Sequence, residues 1–222
     1  KFELPYAELD FPFYVVLGNH DYGELTIDIF RIQYQVEYSD HSAKWTMPDT
    51  YYSFESGPAL FVGLDTNALM IETLMGTSPQ RTWIAPTLAA SSKTWKFAFG
   101  HHPYISNGQH GNAGRYEGFP GIPIVSGDTV KSFFDDYICG DVDVVFSGHD
   151  HNRQWLQSTC GTDFIVSGAA AKSSDFADRG NPTFWEDDTT EGFIWIEVRG
   201  RTLVGEFYNK DGSLQYTQTL TK

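Results

Sequence analysis

The residues with the clearest chemical potential are histidines, and five of the seven fall in three short segments of the chain. Each segment follows an apolar run and opens with a glycine; the three are Gly18-Asn19-His20-Asp21, Gly100-His101-His102-Pro103 and Gly148-His149-Asp150-His151. Glycine lets the backbone turn tightly where a strand ends, and ligands gather at the carboxyl ends of strands in open α/β sheets. Imidazole and amide groups brought to such an edge suit transition metals. The pattern therefore predicts a metal site.

The spacing within the third segment indicates how one loop could serve two metals. His149 and His151 lie two residues apart, so on an extended segment both side chains project to the same side. Any one of these histidines, taken alone, is ordinarily a surface residue or a satisfied core residue. Three clusters that each follow a strand favour the metal site instead.

Apolar runs bounded by Gly, Pro and Asp predict the strands that must position these segments. The predicted strands are Phe13–Leu17, Tyr51–Glu55, Ala59–Leu64, Lys96–Phe99, Val142–Phe146, Asp163–Val166, Phe193–Val198, Leu203–Tyr208 and Leu214–Thr219. Gly57-Pro58 and Asp211-Gly212 have the composition of hairpin turns. The last third of the chain contains strand signals alone.

Helical segments interleave with the strands in the first two-thirds of the chain. We predict helices over Leu25–Tyr38, from Ser78-Pro79 onward, and from an Asp128 cap to Tyr137. Pro86 should kink the second helix or mark its true beginning. Asn107–Gly127 and Lys172–Thr190 are predicted as long loops, and loops of that length are often functional. This order predicts a mixed α/β sandwich rather than a doubly wound sheet.

Composition limits the partners that this chain can have. Fifteen basic against 29 acidic residues give a net charge of -14 among 222 residues, which argues against nucleic acid and against an anionic membrane. An anionic substrate would also be repelled at long range, so a phosphate site needs local positive charge such as metal ions. No apolar run of about 18 residues predicts a transmembrane helix. Because the sequence opens at Lys1 with neither an initiator Met nor a signal peptide, we expect a processed product or a fragment.

The two cysteines, Cys139 and Cys160, allow one disulfide. Both lie beside glycine at the ends of predicted elements, where chain reversals can bring them together. Two buried free thiols are the alternative. Few lysines and many Tyr, Trp, Gly and Thr residues, with a disulfide, suit a secreted or periplasmic protein.

The three histidine segments resemble the last three signature blocks of the calcineurin-like metallophosphoesterases. The chain looks most like a bacterial relative of the small, tartrate-resistant purple acid phosphatases, over nearly its whole length, including Leu64-Asp65-Thr66-Asn67 and the stretch from Val166 to Ala169. The resemblance implies a β-sandwich of two mixed sheets flanked by helices and incomplete at its N-terminus. Residues 1–222 would then form the C-terminal two-thirds or more of one such domain.

The resemblance also implies a ligand set for the metals. Asn19, His101 and His149 would bind one metal through an amide oxygen and imidazole nitrogens, and His151 would bind the other. His20 would lie beside the metals as a proton donor or as a stabiliser of the transition state. Imidazole, carboxylate and amide ligands suit Fe(III) paired with Zn(II), Mn(II) or Fe(II).

Other residues around these ligands are candidates for roles in catalysis, substrate binding or support of the ligands. His110, nine residues after His101, matches the spacing of a second catalytic histidine, and His102 is either substrate-facing or structural. Three aspartates could orient imidazoles or simply cap turns: Asp21, Asp65 and Asp150. Three aromatic residues border the glycine-rich loop and could line the mouth of the site, with Tyr104 assigned to the substrate; they are Tyr104, Tyr116 and Phe119.

The family's first two blocks, an Asp-x-His and a Gly-Asp, are absent from this sequence. They would supply the bridging carboxylate and most ligands of the second metal, so either an N-terminal fragment completes the site or the site is weakened. The resemblance implies an acid phosphatase that hydrolyses phosphomonoesters by in-line attack of a metal-bound hydroxide. A phosphodiesterase or pyrophosphatase of the same superfamily is an alternative, and a metal-poor binding module is another.

Overall fold

The computed structural model describes residues 2–23, 28–76, 78–118, 123–177 and 179–222. Its strands, in chain order, are β1 Phe13–Tyr14, β2 Trp45–Thr46, β3 Tyr52–Ser56, β4 Ala59–Gly63, β5 Trp95–Phe99, β6 Val144–Ser147, β7 Arg153–Thr159, β8 Thr162–Ser167, β9 Thr183–Asp187, β10 Gly192–Arg199, β11 Thr202–Asn209 and β12 Leu214–Thr221. Seven of them form a mixed sheet in the order β3-β4-β5-β6-β8-β7-β9. Strands β4, β5, β6 and β8 run parallel, so the segments that follow them emerge at the same edge.

The side chains of this sheet point alternately to its two faces, and each face packs into its own apolar layer. The α-helices are α1 Gln33–Glu37, α2 Thr66–Met75, α3 Pro79–Ala90, α4 Pro123–Ser126 and α5 Asp128–Tyr137. Buried residues of α2, α3 and α5 pack with Ala98 of β5 and Val145 of β6. Their neighbours Phe97 and Val144 belong to the opposite layer, because successive strand residues point to opposite faces.

The opposite layer is closed by a second, three-stranded sheet in the order β10-β11-β12. Leu203 and Phe207 of β11 are fully buried against Trp95, Phe97 and Trp155 of the large sheet. The predicted mixed α/β sandwich is therefore confirmed. The prediction of two mixed sheets needs one correction, because the second sheet is antiparallel throughout.

Several elements differ from the sequence-based prediction. Three strands were not predicted, namely β2, β7 and β9, and neither was helix α2. Strand β7 begins with Arg153 and Gln154, which are buried but polar, so it lacks an apolar signal. Strand β9 lies inside the segment 172–190 that the sequence presents as a loop.

The predicted helix boundaries need similar corrections. Of the helix predicted over 25–38, residues 25–27 lie outside the described part; the α-helix is confined to α1, and a 3-10 turn over Tyr38–Asp40 follows it. Helix α3 starts at Pro79 and continues through Pro86, so that proline does not mark its beginning. Gly127, rather than Asp128, is the N-cap of α5.

A disulfide joins Cys139 and Cys160, as predicted, and it ties the end of α5 to the turn between β7 and β8. The loop predicted over 107–127 contains a short 3-10 turn at Tyr116–Gly118 and helix α4, while residues 119–122 lie outside the described part. Among the helices described, none has the length and apolarity needed to cross a membrane.

Candidate metal centre

Two histidine segments are held side by side by backbone hydrogen bonds that continue beyond the ends of β5 and β6. The Gly100 N–H donates to the Phe146 carbonyl at 3.0 Å, and the Gly148 N–H donates to the His101 carbonyl at 3.1 Å. A Cβ atom at residue 100 would lie 2.9 Å from Thr66 Cγ2, so the close approach of this turn to α2 favours glycine. The carboxyl ends of two parallel strands therefore present His101 and His149 next to each other.

Three side chains meet directly at this edge. The Asn19 Oδ1 atom lies 2.8 Å from His101 Nε2, which in turn lies 3.0 Å from His149 Nδ1. Two atoms that each bind one ion at about 2.0–2.1 Å are roughly 3 Å apart when they meet at a right angle. The amide oxygen and the two imidazole nitrogens therefore fit a single metal ion by both chemistry and separation.

The backbone at His149 adopts an uncommon conformation that aims its ring at this point. Its φ is +64°, in the left-handed region where residues other than glycine are rare. The Asp150 N–H donates to the Gly148 carbonyl at 2.7 Å, which closes the turn. A Cβ atom at residue 168 would lie 2.0 Å from the Asp150 carbonyl oxygen, so this turn also depends on Gly168.

Burial keeps the imidazoles of the cluster neutral. Desolvation, followed by the neighbouring His20, His110 and His151, lowers the pKa of His101 to about 4. Desolvation also holds the pKa of His149 far below its usual range, with smaller effects from the surrounding imidazoles. Neutral imidazole is the form that binds metals, so these rings are available as ligands in mildly acidic solution.

His102 completes the imidazole cluster from the inside. It is 2% exposed, and the Thr66 Oγ1 atom lies 2.8 Å from its Nδ1 and 3.0 Å from its backbone N–H. Its ring centroid lies 4.5 Å from that of His149, and burial lowers its pKa far below the usual range. The burial of this ring agrees with the structural alternative for His102, and its place in the lining of the adjoining pocket agrees with the substrate-facing one.

His20 and His151 lie beside the cluster rather than within it. Both are close enough to His101 to lower its pKa by charge repulsion. Burial lowers the pKa of His151, with a further contribution from Lys172. In the described part of the chain, one group of three potential metal-binding side chains consists of His101, His102 and His149, and neither the His20 ring nor the His151 ring belongs to it or to the group described next.

His110 is stacked against the cluster and bound to a glutamate. Its ring centroid lies 4.0 Å from that of His149 at an interplanar angle of 31°. Its Nδ1 contacts Glu117 Oε1, and His110, Glu117 and His149 form a second group with metal-binding potential. Glu117 was missed by sequence reasoning, because a lone glutamate seven residues from a histidine in a loop carries no signal of its own.

All three aspartates accept backbone N–H groups, which agrees with the turn-capping interpretation, and Asp150 also acts electrostatically on the His151 ring, where it opposes the lowering of the pKa. Asp21 accepts the Gly18 N–H at 2.8 Å, and Asp150 accepts the His110 N–H at 2.8 Å. Asp65 caps α2 by accepting the Ala68 N–H at 2.9 Å. It also accepts the Tyr22 hydroxyl at 2.5 Å.

Tyr104, which the sequence analysis assigns to the substrate, makes its described contacts with α5 and the core. Its hydroxyl donates to Asp135 Oδ1 at 2.6 Å, and its ring stacks on Phe134 and Phe164 at 5.4 and 5.0 Å. These contacts turn it toward α5 and the core. Phe119 lies outside the described residues.

Among the aromatic residues that the structure describes, Tyr116 is the nearest to the cluster, with its ring centroid 5.7 Å from that of His102. It is fully buried and its hydroxyl donates to the Pro103 carbonyl. A pocket of about 210 Å³ opens beside these rings, and it is lined by Asn19, Asn67, Met70, His102, Tyr116, Glu117, Val125 and His149. The cluster therefore has an adjoining space for a small ligand.

The chain is similar to a known protein family and to several known proteins. A family model described as calcineurin-like phosphoesterase matches residues 1–153. The chain is 24% identical to human tartrate-resistant acid phosphatase type 5 over 238 residues, covering 95% of this chain and 67% of that protein. It is 29% identical to the pig protein of the same name over 242 residues, covering 95% of this chain and 64% of that protein. The chain thus spans about two-thirds of the length of these relatives.

A solved structure shares the fold at greater distance. Plasmodium GAP50, described as the anchor in the inner membrane complex, superimposes with a TM-score of 0.67 at 18% identity, over 95% of this chain and 66% of that one. This likeness establishes the architecture alone.

Proposed function

The chain belongs to the calcineurin-like phosphoesterase family, and on that premise we propose that it is a metal-dependent acid phosphatase acting on small phosphomonoesters. The observation that carries the proposal is the convergence of Asn19, His101 and His149 within hydrogen-bonding distance at the ends of parallel strands. The similarity to tartrate-resistant acid phosphatases supports the choice of substrate class.

We propose a centre of two metal ions, Fe(III) paired with Zn(II), Mn(II) or Fe(II). Asn19, His101 and His149 would hold one ion, and His151 would contribute to the other. When bound, such a pair polarises phosphoryl oxygens, neutralises developing charge and lowers the pKa of water. Thiolate ligands are excluded, because both cysteines of the chain are joined in the disulfide.

The chain's own residues have separate tasks in this proposal. The partly buried His101 and His149 rings stay neutral in mildly acidic solution and keep their nitrogens free for ligation. His20 and His110 lie around the cluster, where an imidazole can donate a proton or a hydrogen bond to the phosphoryl group or the leaving oxygen. The Asp150 carboxylate accepts the backbone N–H of His110 and so fixes the position of the main chain that carries this ring.

The disulfide and the composition support a secreted or periplasmic location, since disulfides persist in oxidising compartments. An N-terminal segment of the same protein is the proposed source of further ligands for the second metal. A phosphodiesterase or pyrophosphatase would use the same metal centre and differ in the surrounding loops.

Metal analysis combined with turnover tests this proposal. The protein, supplied with Fe, Zn or Mn, is assayed from about pH 4 to 7 on p-nitrophenyl phosphate, bis(p-nitrophenyl) phosphate and pyrophosphate. We expect two tightly held ions and acid-range turnover that is fastest on the monoester. Preference for the diester or pyrophosphate would select the alternative enzymes, whereas neither tightly held metal nor turnover of any of the three substrates would favour the metal-poor binding module.

A further inference from the structure

The His110 side chain is engaged on both of its sides. One face stacks on the His149 ring at 4.0 Å, and its Nδ1 is in contact with the Glu117 carboxylate. An imidazole has two ring nitrogens, and the group that binds one of them fixes the role of the other. With Nδ1 held by a carboxylate, Nε2 is the nitrogen that remains to act on a substrate.

The loop places Glu117 in a constrained backbone conformation to make this contact. Glu117 has φ +55° and ψ +12°, in the left-handed region that glutamate rarely occupies. Its N–H donates to the His110 carbonyl at 3.0 Å, so backbone and side chain both bind the same histidine. The preceding Tyr116 is 1% exposed and anchored to the Pro103 carbonyl. Glu117 is therefore held against His110 by its neighbours.

The backbone around His110 is held by contacts that do not involve the Glu117 side chain. Its N–H donates to Asp150 Oδ1 at 2.8 Å. Arg179 Nε donates to the Gly108 carbonyl at 2.6 Å, and the same guanidinium also contacts the Gln109 carbonyl. Since these bonds set the position of the main chain, the remaining freedom of His110 is the rotation of its ring, which the Glu117 carboxylate restrains.

A purely stabilising role explains this contact poorly. The side chains of His110 and Glu117 are 33% and 44% exposed, and ion pairs with that exposure contribute little to folding. We infer that Glu117 is a positioning residue: its carboxylate accepts the Nδ1–H of His110 and orients the ring so that, when the ring carries its second proton, the Nε2–H faces the leaving oxygen of the substrate and passes that proton to it. The inference rests on the proposed phosphatase function and adds a residue to its proton-donating machinery.

Dependence on the leaving group tests this role. A poor leaving group such as phenol needs a proton in the transition state more than p-nitrophenol does, so the loss should depend on the substrate. We expect Glu117→Ala to lower kcat about tenfold on phenyl phosphate and about two- to threefold on p-nitrophenyl phosphate, with KM unchanged, as part of the 10²–10⁴-fold effect of a general acid. Glu117→Gln, which can still accept the Nδ1–H, should retain most of the rate. Equal losses on both substrates would overturn the inference.

Two further measurements separate positioning from the alternatives. In His110→Ala, adding Glu117→Ala should cost nothing more, because the residue being oriented is gone; additive losses would overturn the inference. Metal content should be the same in Glu117→Ala as in the wild type, whereas loss of one equivalent would make Glu117 a ligand instead. The control is Glu55→Gln. Glu55 is a glutamate of β3 with similar exposure that pairs with Lys93, and its replacement should leave every rate unchanged.

Nitrogen NMR of the His110 ring supplies a readout that needs no turnover. In the metal-free wild type, the neutral ring should carry its proton on Nδ1, and Glu117→Ala should shift it toward the Nε2-protonated tautomer. An unchanged tautomer would overturn the inference. If the metal-loaded wild type turned over neither phenyl nor p-nitrophenyl phosphate, the proposed function would fail and this inference with it. If the wild type turned over both substrates and Glu117→Ala lost the same factor on each, the inference about Glu117 would fail while the proposed function stood.

Discussion

A single residue, His149, joins the backbone geometry of the site to its chemistry. Its left-handed conformation directs the ring toward His101 Nε2 at 3.0 Å, and its other neighbours are the rings of His102 and His110. Few positions touch so many members of the cluster. Removal of this imidazole should therefore affect metal binding more than any change at the rim of the site.

We predict that His149→Ala loses one metal ion and at least about 10²-fold in activity, because losing a metal removes the charge stabilisation that the centre supplies. Metal content by mass spectrometry and turnover of p-nitrophenyl phosphate measure the two effects. The matched control is His41→Ala, an exposed histidine outside the cluster, which should keep both metals and full activity. A fully metallated His149→Ala would refute the ligand assignment.

Asp65 gives a pH dependence that is separate from the metals. Burial raises the pKa of this carboxyl to about 6, although the Tyr22 hydroxyl and the backbone N–H groups of Ala68 and Asn67 favour its charged form. The folded state therefore holds the proton more tightly than the unfolded chain. Between about pH 4 and pH 6 the folded state binds more protons, so the contribution of Asp65 to stability falls as pH rises and levels off above about pH 6.

We predict that Asp65→Asn removes this penalty. Relative to the wild type, its free energy of unfolding should rise by up to about 3 kcal/mol between pH 4 and pH 7, since each pKa unit corresponds to about 1.4 kcal/mol. Urea unfolding of both proteins at several pH values, with a chelator present, measures the difference. A difference that is constant across this range would mean that Asp65 is ionised with an ordinary pKa in the folded protein.

At the scale of elements, the site depends on a close crossing between the loop after β6 and the loop after β8. Gly168 follows β8, and a Cβ atom there would lie 2.0 Å from the Asp150 carbonyl. The obstacle is backbone rather than the end of a flexible side chain, so it cannot move aside without displacing the His149 turn.

We predict that Gly168→Ala weakens metal binding at least tenfold while the protein remains folded, because the turn carrying His149 must shift. Titration with Zn(II) and circular dichroism measure the two properties. Gly57→Ala is the control: that residue lies at an open hairpin with φ +53°, so the change costs some stability but should leave metal affinity intact. Equal metal affinity in all three proteins would contradict the proposed dependence on the crossing.

Sequence patterns could predict the elements whose signals are local. Strands β4, β5 and β6 are apolar runs that end in or beside glycine, and their parallel pairing brings His101 and His149 together as expected. Strand β7 was hidden because Arg153 and Gln154 are buried through partners distant in sequence. Whether such a polar segment forms a buried strand depends on contacts made in the folded protein, and residue type alone does not predict it.

The same limit applies to the loops around the site. Asp150 was ambiguous because its partner is a backbone N–H of a loop 40 residues earlier in the chain. Glu117 reaches His110 only through an unusual backbone conformation that no composition signals. The centre of the site could therefore be predicted from motif spacing, whereas its rim could not.

At the scale of the whole molecule, the two sheets bury one apolar layer and the helices bury another. Apart from a few buried charged groups such as Asp65, Asp150 and Arg153, the charges lie toward solvent, and the chain carries an excess of 14 negative charges over positive ones. Locally, Lys172 is close enough to His151 to lower its pKa, and Arg179 binds the loop before His110. The net negative charge would therefore repel a phosphate ester at long range, and these cations would attract it only near the site.

We predict that kcat/KM for p-nitrophenyl phosphate rises about two- to fivefold between roughly 0.01 and 0.3 M sodium chloride at pH 6, because salt screens the repulsion beyond a Debye length of about 10 Å at 0.1 M. kcat should stay constant, since the bound substrate has already crossed the repulsive field. Potassium glutamate should give the same result, which separates screening from chloride binding. A kcat/KM that falls with salt would mean that the cations near the site, rather than the net charge, control the approach of the substrate.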